Sequence, residues 1–520
     1  MSTTAAAFTG LVVLGLAGAL PVVVGVGLRW VTLPLAPLAG AVLASLAATA
    51  YVALGLSFMT WFVALAVLGA VAAGAWWLWG PTLGLGRTDG KLGVSEGDLE
   101  ETVRHPRDHR VALAGAVGAL IVGVTCVASL RGIRTPTVGF DARALWVMRP
   151  GWFLQSHQQL LVDLKVRGLV LTQSAYPPLV SAASAIAWKV TGVHTARLGV
   201  VVTAALNGCA LAVAAFAVAD VGRRAAIGLS GRRAAHAASA PTPWTPLVAG
   251  VVVAALLVLV AAGVTEPFLT NGYADPIWSL AAVGAVAWGL QSPRERSAQS
   301  IAVVLVLVAG GAKDEGFVTA VAIIALIAVR SLAGVVADHG WRAPLSRLAA
   351  PVGLAGLELV IIGWWPELMQ VIGARGASST FTIQSDLTSR TTAVVHGMSP
   401  YLHVLVLAVP VAIAGGVVLS GVRRRTDTGN DLWAWAALAC GLVAVAGALI
   451  TGQGAIGPWI LSTVHRITEF PTLAAWWIVG TWGVVAATAL VEGNHRVEST
   501  SGEATPVGDA PAVAQAKVSA

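Results

Sequence analysis

Residues 5–28 read AAAFTGLVVLGLAGALPVVVGVGL and contain no charged side chain. A run of about 20 apolar residues is long enough to cross the hydrocarbon core of a bilayer as a helix. Similar runs recur along the chain, and their apolar residues are continuous rather than alternating, which favours helices over the strands of a barrel. The sequence therefore predicts an all-α fold, a polytopic transmembrane helical bundle.

The composition of the chain agrees with that class. Of the 520 residues, 57% are hydrophobic and 11% are charged, whereas about 25% of residues are charged in a typical soluble domain. The mean hydropathy is +0.79. The net charge of +7 comes from basic residues in short loops between apolar runs. There they set topology and meet anionic lipid, so nucleic acid is not an expected partner.

The predicted organisation has about thirteen spans and three regions. Residues 1–110 form an N-terminal transmembrane extension with a cytoplasmic loop, and residues 111–491 form a second transmembrane region. A large outside loop, 131–197, contains surface helices. Residues 492–520 are rich in Ser, Glu, Ala and Pro and form a disordered cytoplasmic tail, because they cannot bury enough apolar surface to order themselves. The spans run near 5–28, 31–54, 58–79, 111–130, 198–221, 247–264, 277–290, 301–311, 317–327, 351–362, 401–419, 432–450 and 473–491.

The segment Ala182–Val190 decides the topology, because it is apolar enough to belong to a span yet lies inside the long loop. If it lies along the membrane surface, one side of the membrane collects roughly 20 of the 32 basic residues, including the cluster Arg423–Arg425. If it crosses, that cluster moves outside. The first arrangement is favoured, and it predicts a multi-pass cell-membrane protein with its N-terminus outside and its C-terminus in the cytoplasm.

Ionisable residues concentrate in the predicted outside loops. The first loop begins GFDARALW at Gly139, the second reads TEPFLTNGYADPIW from Thr265, and the third reads GGAKDEGF from Gly310. Charges at membrane depth are costly and usually face a cavity or a pathway. Their concentration on one side of the membrane predicts one site assembled there.

The order of four short elements resembles the GT-C superfamily of membrane glycosyltransferases, which use polyprenyl-phosphate sugars. The closest likeness is to bacterial enzymes similar to protein mannosyltransferases and aminoarabinose transferases. The elements are Asp141 in FDARALW after a span, YPPL at Tyr176–Leu179, GYAD at Gly272–Asp275, and K-x-EG at Lys313–Gly316. Arg466 in TVHRITEF also fits. The likeness covers about residues 111–491, and the first three spans depart from the family pattern.

The resemblance implies transfer of a sugar from a polyprenyl-phosphate donor to the hydroxyl of a glycan, lipid or protein acceptor at the outer face. Such transfer needs a general base for the acceptor proton and cations for the leaving phosphate. Asp141 is the predicted base, and Lys313 and Arg466 are the predicted phosphate-binding cations. Asp275, Glu266 and Glu315 are candidates for binding substrate or metal. A divalent metal is left open as a cofactor, and membrane lipids are expected partners.

Each assignment has a structural alternative. Asp141 also fits a helix N-cap, Asp275 a turn residue before a proline, and Lys313 an interfacial lysine that pairs locally with Glu315. Arg466 also fits an anchor to lipid headgroups, and Tyr176 fits an architectural role beside two prolines. At the level of function, the main alternative is a multi-span transporter or lipid flippase, and a third is a non-catalytic membrane scaffold.

Overall fold

The computed structural model describes residues 1–27, 29–79, 142–165, 174–230, 272–290, 296–340, 345–374, 386–403, 405–406, 410, 431–451, 464, 466, 468–483 and 485. These residues form helices and no strand. The α-helices are α1 (Thr3–Val26), α2 (Thr32–Leu54), α3 (Phe58–Trp79), α4 (His157–Lys165), α5 (Leu179–Thr191), α6 (Ala196–Ser230), α7 (Asp275–Ala285), α8 (Arg296–Ala312), α9 (Asp314–His339), α10 (Leu345–Val371), α11 (Leu387–Met398) and α12 (Asp431–Thr451). Shorter π and 3-10 turns cover Ala142–Val147, Arg149–Leu154, Val286–Leu290 and Ser399–Leu402, and residues 469–483 are also helical.

The predicted all-α class is confirmed, and the helices are those of a membrane protein. In the described residues, six helices are long and apolar enough to cross a bilayer, namely α1, α2, α3, α6, α9 and α10. Helices α5 and α8, the segment Asp275–Leu290 and most of α12 are shorter and also apolar. The count of about thirteen spans stays a prediction, because the spans predicted at 111–130 and 247–264 lie outside the described residues.

Four helices are several residues longer than the apolar runs that predicted them. Helices α6, α8, α9 and α10 extend beyond the predicted spans 198–221, 301–311, 317–327 and 351–362 at both ends. The apolar runs stop at charged residues such as Arg330, but the backbone hydrogen bonds of a helix do not depend on side-chain polarity. Hydropathy therefore underestimated the length of these helices.

The first two helices are an integral part of the bundle. A Cβ atom at Gly18 would meet the carbonyl oxygen of Ala36, and one at Gly40 would meet that of Leu14. Small residues at such crossings let two membrane helices approach closely. The α1–α2 pair also packs on α5, α6 and α8. The N-terminal helices thus form one wall of the same core as the later helices.

Helix α5 is covered by other helices. It contains the segment that was predicted to lie along the membrane surface, and its residues Leu179–Trp188 are all buried. It packs on α1, α2, α6 and α8. At about 1.5 Å per residue, its 13 residues are too short to cross a hydrocarbon core of about 30 Å. It is therefore an internal helix that does not cross, with α1 and α2 covering it.

One end of the bundle gathers the loops that carry polar residues, and we call it the loop end. There α2 ends and α4 begins, with the Tyr51 hydroxyl donating to the Gln155 carbonyl oxygen at 2.6 Å. Helices α7 and α9 also begin there, and the Lys313 side chain before α9 contacts Asp275 at the start of α7. Helix α10 ends there, and its Trp365 donates its indole N–H to the Ser174 carbonyl oxygen at 3.2 Å. The side of the membrane on which the loop end lies stays a prediction.

Candidate functional site at the loop end

A buried ion pair joins the first residue of α7 to the residue that precedes α9. The Lys313 ammonium donates a hydrogen bond to Asp275 Oδ1 at 2.6 Å and lies 3.3 Å from Glu315 Oε1. Lys313 is 2% exposed and Asp275 is 1% exposed. Two carboxylates therefore hold one ammonium, away from bulk water.

The local sequence explains how these two helix starts meet. Gly272 has a φ of +88°, which a residue with a side chain rarely adopts, and it turns the chain into α7. Pro276 sits in the first turn of α7, where its missing N–H costs nothing. At Gly316, a Cβ atom would meet the carbonyl oxygen of Ala309. The tight turn between α8 and α9 therefore requires glycine there.

The charge state of Lys313 follows from its surroundings. Burial lowers the pKa of its ammonium, but the carboxylates of Asp275 and Glu315 outweigh that effect and leave the pKa above its ordinary value. Lys313 is therefore protonated at neutral pH. Two of its three donors point at these protein carboxylates.

Arg466 and Glu469 extend this cluster from the C-terminal part of the chain. The Arg466 guanidinium lies 5.0 Å from the centroid of the Tyr273 ring, and it interacts electrostatically with Asp275 and Lys313. The Ser279 hydroxyl donates to Glu469 Oε2 at 3.2 Å. Glu469 is as buried as Lys313. Ionisable side chains from two remote segments therefore lie beside the turn before α7 and the first residues of α7.

A second buried cation, Arg149, lies beside this cluster. It is 0% exposed, and its Nη2 donates to the Tyr176 carbonyl oxygen at 2.9 Å. Its guanidinium carbon lies 5.2 Å from the Trp152 ring centroid and 6.0 Å from that of Trp365. Burial lowers the pKa of Arg149 to about 10, although Asp314 acts in the opposite direction. The guanidinium is therefore charged at neutral pH.

Tyr176 contacts Arg149 and lies within the electrostatic field of the neighbouring carboxylates. Its ring lies 5.5 Å from that of Trp146, and its carbonyl oxygen accepts from Arg149. Burial raises the pKa of its hydroxyl well above the ordinary value, and the carboxylates of Glu315 and Asp314 raise it further. The phenol therefore stays protonated and can donate a hydrogen bond.

Several buried oxygen atoms at the loop end have no hydrogen-bond donor among the described residues. They are Asp275 Oδ2, Glu315 Oε2 and Glu469 Oε1. Buried polar atoms in proteins are nearly always satisfied by protein groups, water or ligand. These three acceptors can therefore bind the hydroxyl groups of a ligand or ordered water.

The structure brings four of the six predicted site residues together, namely Asp275, Lys313, Glu315 and Arg466. Asp141 and Glu266 lie outside the described residues, so their roles stay predictions. The structural alternative for Lys313 was a local pairing with Glu315, and that pairing is present.

Two buried ionisable residues at the loop end were missed from the sequence, and a third residue was given only a structural role. Arg149 lies between Trp146 and Trp152, and Glu469 follows Arg466 by one turn of helix. A spacing of three residues places two side chains on the same face of a helix, so it could have predicted that Glu469 lies beside Arg466. Tyr176 was interpreted as architectural, but it lies within the field of the same charges.

The described residues contain no group of three His, Cys, Asp or Glu side chains close enough to hold one metal ion. A metal site that includes Asp141 or Glu266 lies outside this test, so the divalent cofactor stays an open prediction.

Comparison with known proteins identifies no relative. No family model, curated protein sequence or solved structure matches this chain.

Proposed function

We propose that this chain is a membrane glycosyltransferase that moves a sugar from a polyprenyl-phosphate donor to an acceptor hydroxyl at the loop end. The acceptor is the hydroxyl of a glycan, a lipid or a protein. The observation that carries the proposal is the meeting of Tyr176, Asp275, Lys313 and Arg466, which are far apart in the sequence, around one buried group of charges. Each of these residues belongs to, or fits, one of the elements on which the resemblance to the GT-C superfamily rests.

The proposed step follows from the chemistry of a lipid phosphate leaving group. Asp141 takes the proton of the acceptor hydroxyl as its oxygen forms a bond to the anomeric carbon. The bond between that carbon and the phosphate oxygen breaks, and its electron pair stays on the lipid phosphate. Buried cations stabilise the charge that grows on the phosphate more strongly than exposed ones, because little water screens them.

The neighbourhood of the following residue supports the role of Asp141. Ala142 comes directly after it and is fully buried. A Cβ atom at Gly272 would lie 3.5 Å from the Ala142 Cβ. Ala142 therefore lies beside the turn that precedes Asp275.

One observation favours the alternative of a transporter or lipid flippase. Glu358 lies at the middle of α10 and is 6% exposed, and Arg330 lies inside α9 with its guanidinium 5.6 Å from the Trp433 ring centroid. Ionisable residues within spans often mark transport pathways. The ion pair at the loop end, by contrast, sits at helix ends rather than at the midplane, where transport sites are expected.

The test of the proposal is the Asp141→Asn variant. Asn caps a helix about as well as Asp but cannot take the acceptor proton. With saturating donor, we expect the transfer rate to fall about 10²–10⁴-fold, while the midpoint of thermal unfolding in detergent stays at the wild-type value. The control is Asp163→Asn, which changes an acid of the same loop whose carboxylate is already bound by Gln155 and Gln159.

Transfer at the wild-type rate by a folded Asp141→Asn protein would remove Asp141 from the chemistry. The base would then be sought at Asp275 or Glu266. Equal loss of activity in Asp141→Asn and Asp163→Asn would show that both act on the loop rather than on proton transfer.

A further inference from the structure

The end of α2 and the segment between the Arg149–Leu154 turn and α4 are joined by a reciprocal pair of hydrogen bonds. The Tyr51 hydroxyl donates to the Gln155 carbonyl oxygen at 2.6 Å. In the other direction, His157 Nε2 lies 3.0 Å from the Val52 carbonyl oxygen and is the donor, because a carbonyl only accepts. Each bond joins a side chain to backbone, so the pair fixes the path of the loop against the path of α2.

The corner between α2 and α3, residues 55–57, leaves a carbonyl group for His157. Gly55 has a φ of +75° and Leu56 a φ of +60°, and this left-handed backbone ends α2. The last carbonyl groups of a helix have no partner within it, and that of Val52 is one of them. A left-handed conformation is unfavourable for leucine, and Leu56 is 68% exposed, so the packing of its own side chain does not explain it. The shape of the corner therefore serves the contact with the loop.

Aromatic rings extend this contact to Arg149. The Phe58 ring, at the start of α3, lies 5.5 Å from that of Phe153, and both residues are buried. The Phe153 ring lies 6.5 Å from that of Trp365, edge on. Trp365 faces the Arg149 guanidinium, which donates to the Tyr176 carbonyl oxygen. Packed side chains therefore connect α3 with Arg149 and Tyr176.

We propose that Tyr51 and His157 are positioning residues, which hold the first part of the 131–197 loop on the end of α2 and so keep Arg149 beside Tyr176. Helices α1–α3 are the part of the chain that departs from the pattern of the GT-C superfamily, and this contact gives them a role at the loop end. The inference rests on the proposed function only for its consequence, since a displaced loop slows transfer only if the loop end carries out transfer.

A positioning role and a purely stabilising role predict different results. If the two hydrogen bonds only stabilise the protein, their loss lowers the midpoint of unfolding and leaves the loop of the folded protein in place. If they position the loop, their loss lets the loop move relative to α3 in protein that is still folded. The position of the loop in the folded state therefore separates the two roles.

The test measures that position in full-length protein in nanodiscs. With the three native cysteines replaced, nitroxide labels are attached at Val67 on α3 and Val162 on α4, which are both exposed. Pulsed electron paramagnetic resonance then gives the distribution of distances between the labels. We expect a narrow distribution for the unmutated contact and a broadened or shifted one when Tyr51→Phe and His157→Leu are combined.

Trp61→Phe is the matched control. It removes a bond of the same kind, from the Trp61 indole N–H to the Gly55 carbonyl oxygen at 2.8 Å, but this bond lies within the first three helices and does not reach the loop. Its distance distribution should stay narrow. His157→Gln keeps a side-chain N–H that can donate to the Val52 carbonyl oxygen, and it should also stay narrow, whereas His157→Leu should not.

The rate of transfer gives a second measurement. A misplacement of about 1 Å can slow an enzyme about 10²-fold, so with saturating donor we expect the combined Tyr51→Phe and His157→Leu variant to be slower by up to about a hundredfold. Trp61→Phe and His157→Gln should transfer at close to the wild-type rate. A broadened distribution in a protein that transfers no sugar, wild type included, would keep this inference and remove the proposed function.

Two results would overturn the inference. One is a narrow and unshifted distribution in the folded combined variant, whatever its midpoint of unfolding. The other is equal broadening in Trp61→Phe, which would assign the effect to the corner itself and not to its contact with the loop. If the combined variant does not fold, Tyr51→Phe alone, which removes a single oxygen atom, decides by the same two results.

Discussion

Lys313 and Arg149 are two buried cations at the same end of one bundle, and they differ in what surrounds them. Lys313 lies 2.6 Å and 3.3 Å from two carboxylate oxygens. Arg149 lies between two indole rings and donates to one backbone carbonyl. Two carboxylates contact the first cation, and no carboxylate of the described residues contacts the second.

The difference points to a structural role for Lys313. A cation held by two carboxylates fixes the positions of the elements that carry them, here the starts of α7 and α9. A cation with unused donors imposes no such constraint. Both cations lie near the same charged cluster, and the number of unused donors distinguishes them.

The largest expected effect on stability comes from breaking the Lys313 pair. Lys313→Met leaves two carboxylates buried without their cation, and loss of one partner of a buried ion pair typically costs about 3–5 kcal/mol. The free energy of unfolding of purified protein in detergent measures it. Lys189→Met is the matched control, because Lys189 is an exposed lysine at the end of α5 and its loss should leave unfolding unchanged.

A smaller effect on stability is expected for Arg149→Met in the absence of ligand. The variant loses one hydrogen bond and the contacts with two rings, but it also removes a buried charge that no carboxylate of the described residues contacts. The net cost should stay below about 1.5 kcal/mol, which is the scale of a single hydrogen bond. A cost equal to that of Lys313→Met would mean that a protein anion already holds Arg149.

The sequence led to the class of the fold and to part of the site. Continuous apolar runs predicted helices, and the motif order predicted that Asp275, Lys313 and Arg466 share one end. The sequence did not show that α5 is covered by α1 and α2, because burial depends on which helices meet. The burial of Arg149 could not be predicted for the same reason. Its loop reads as an interfacial segment in the sequence, and its burial depends on Trp365, which a remote helix places beside it.

A labelling experiment places the loop end relative to the membrane. With the native residues Cys126, Cys209 and Cys440 replaced, single cysteines at Ser156 and Thr426 are probed in intact cells with an impermeant thiol reagent. The positive-inside rule predicts labelling at 156 and none at 426. The reverse pattern would put the two buried cations on the cytoplasmic side.

We propose that the loop end carries out chemistry on a lipid-linked sugar rather than passing the sugar across the membrane. The direct measurement uses the purified chain in liposomes that contain a radiolabelled polyprenyl-phosphate sugar and an acceptor with a free hydroxyl. We expect label to move from the lipid to the acceptor and unlabelled polyprenyl phosphate to be released in equal amount. Label that stays on the lipid and changes leaflet would contradict it and would identify a flippase.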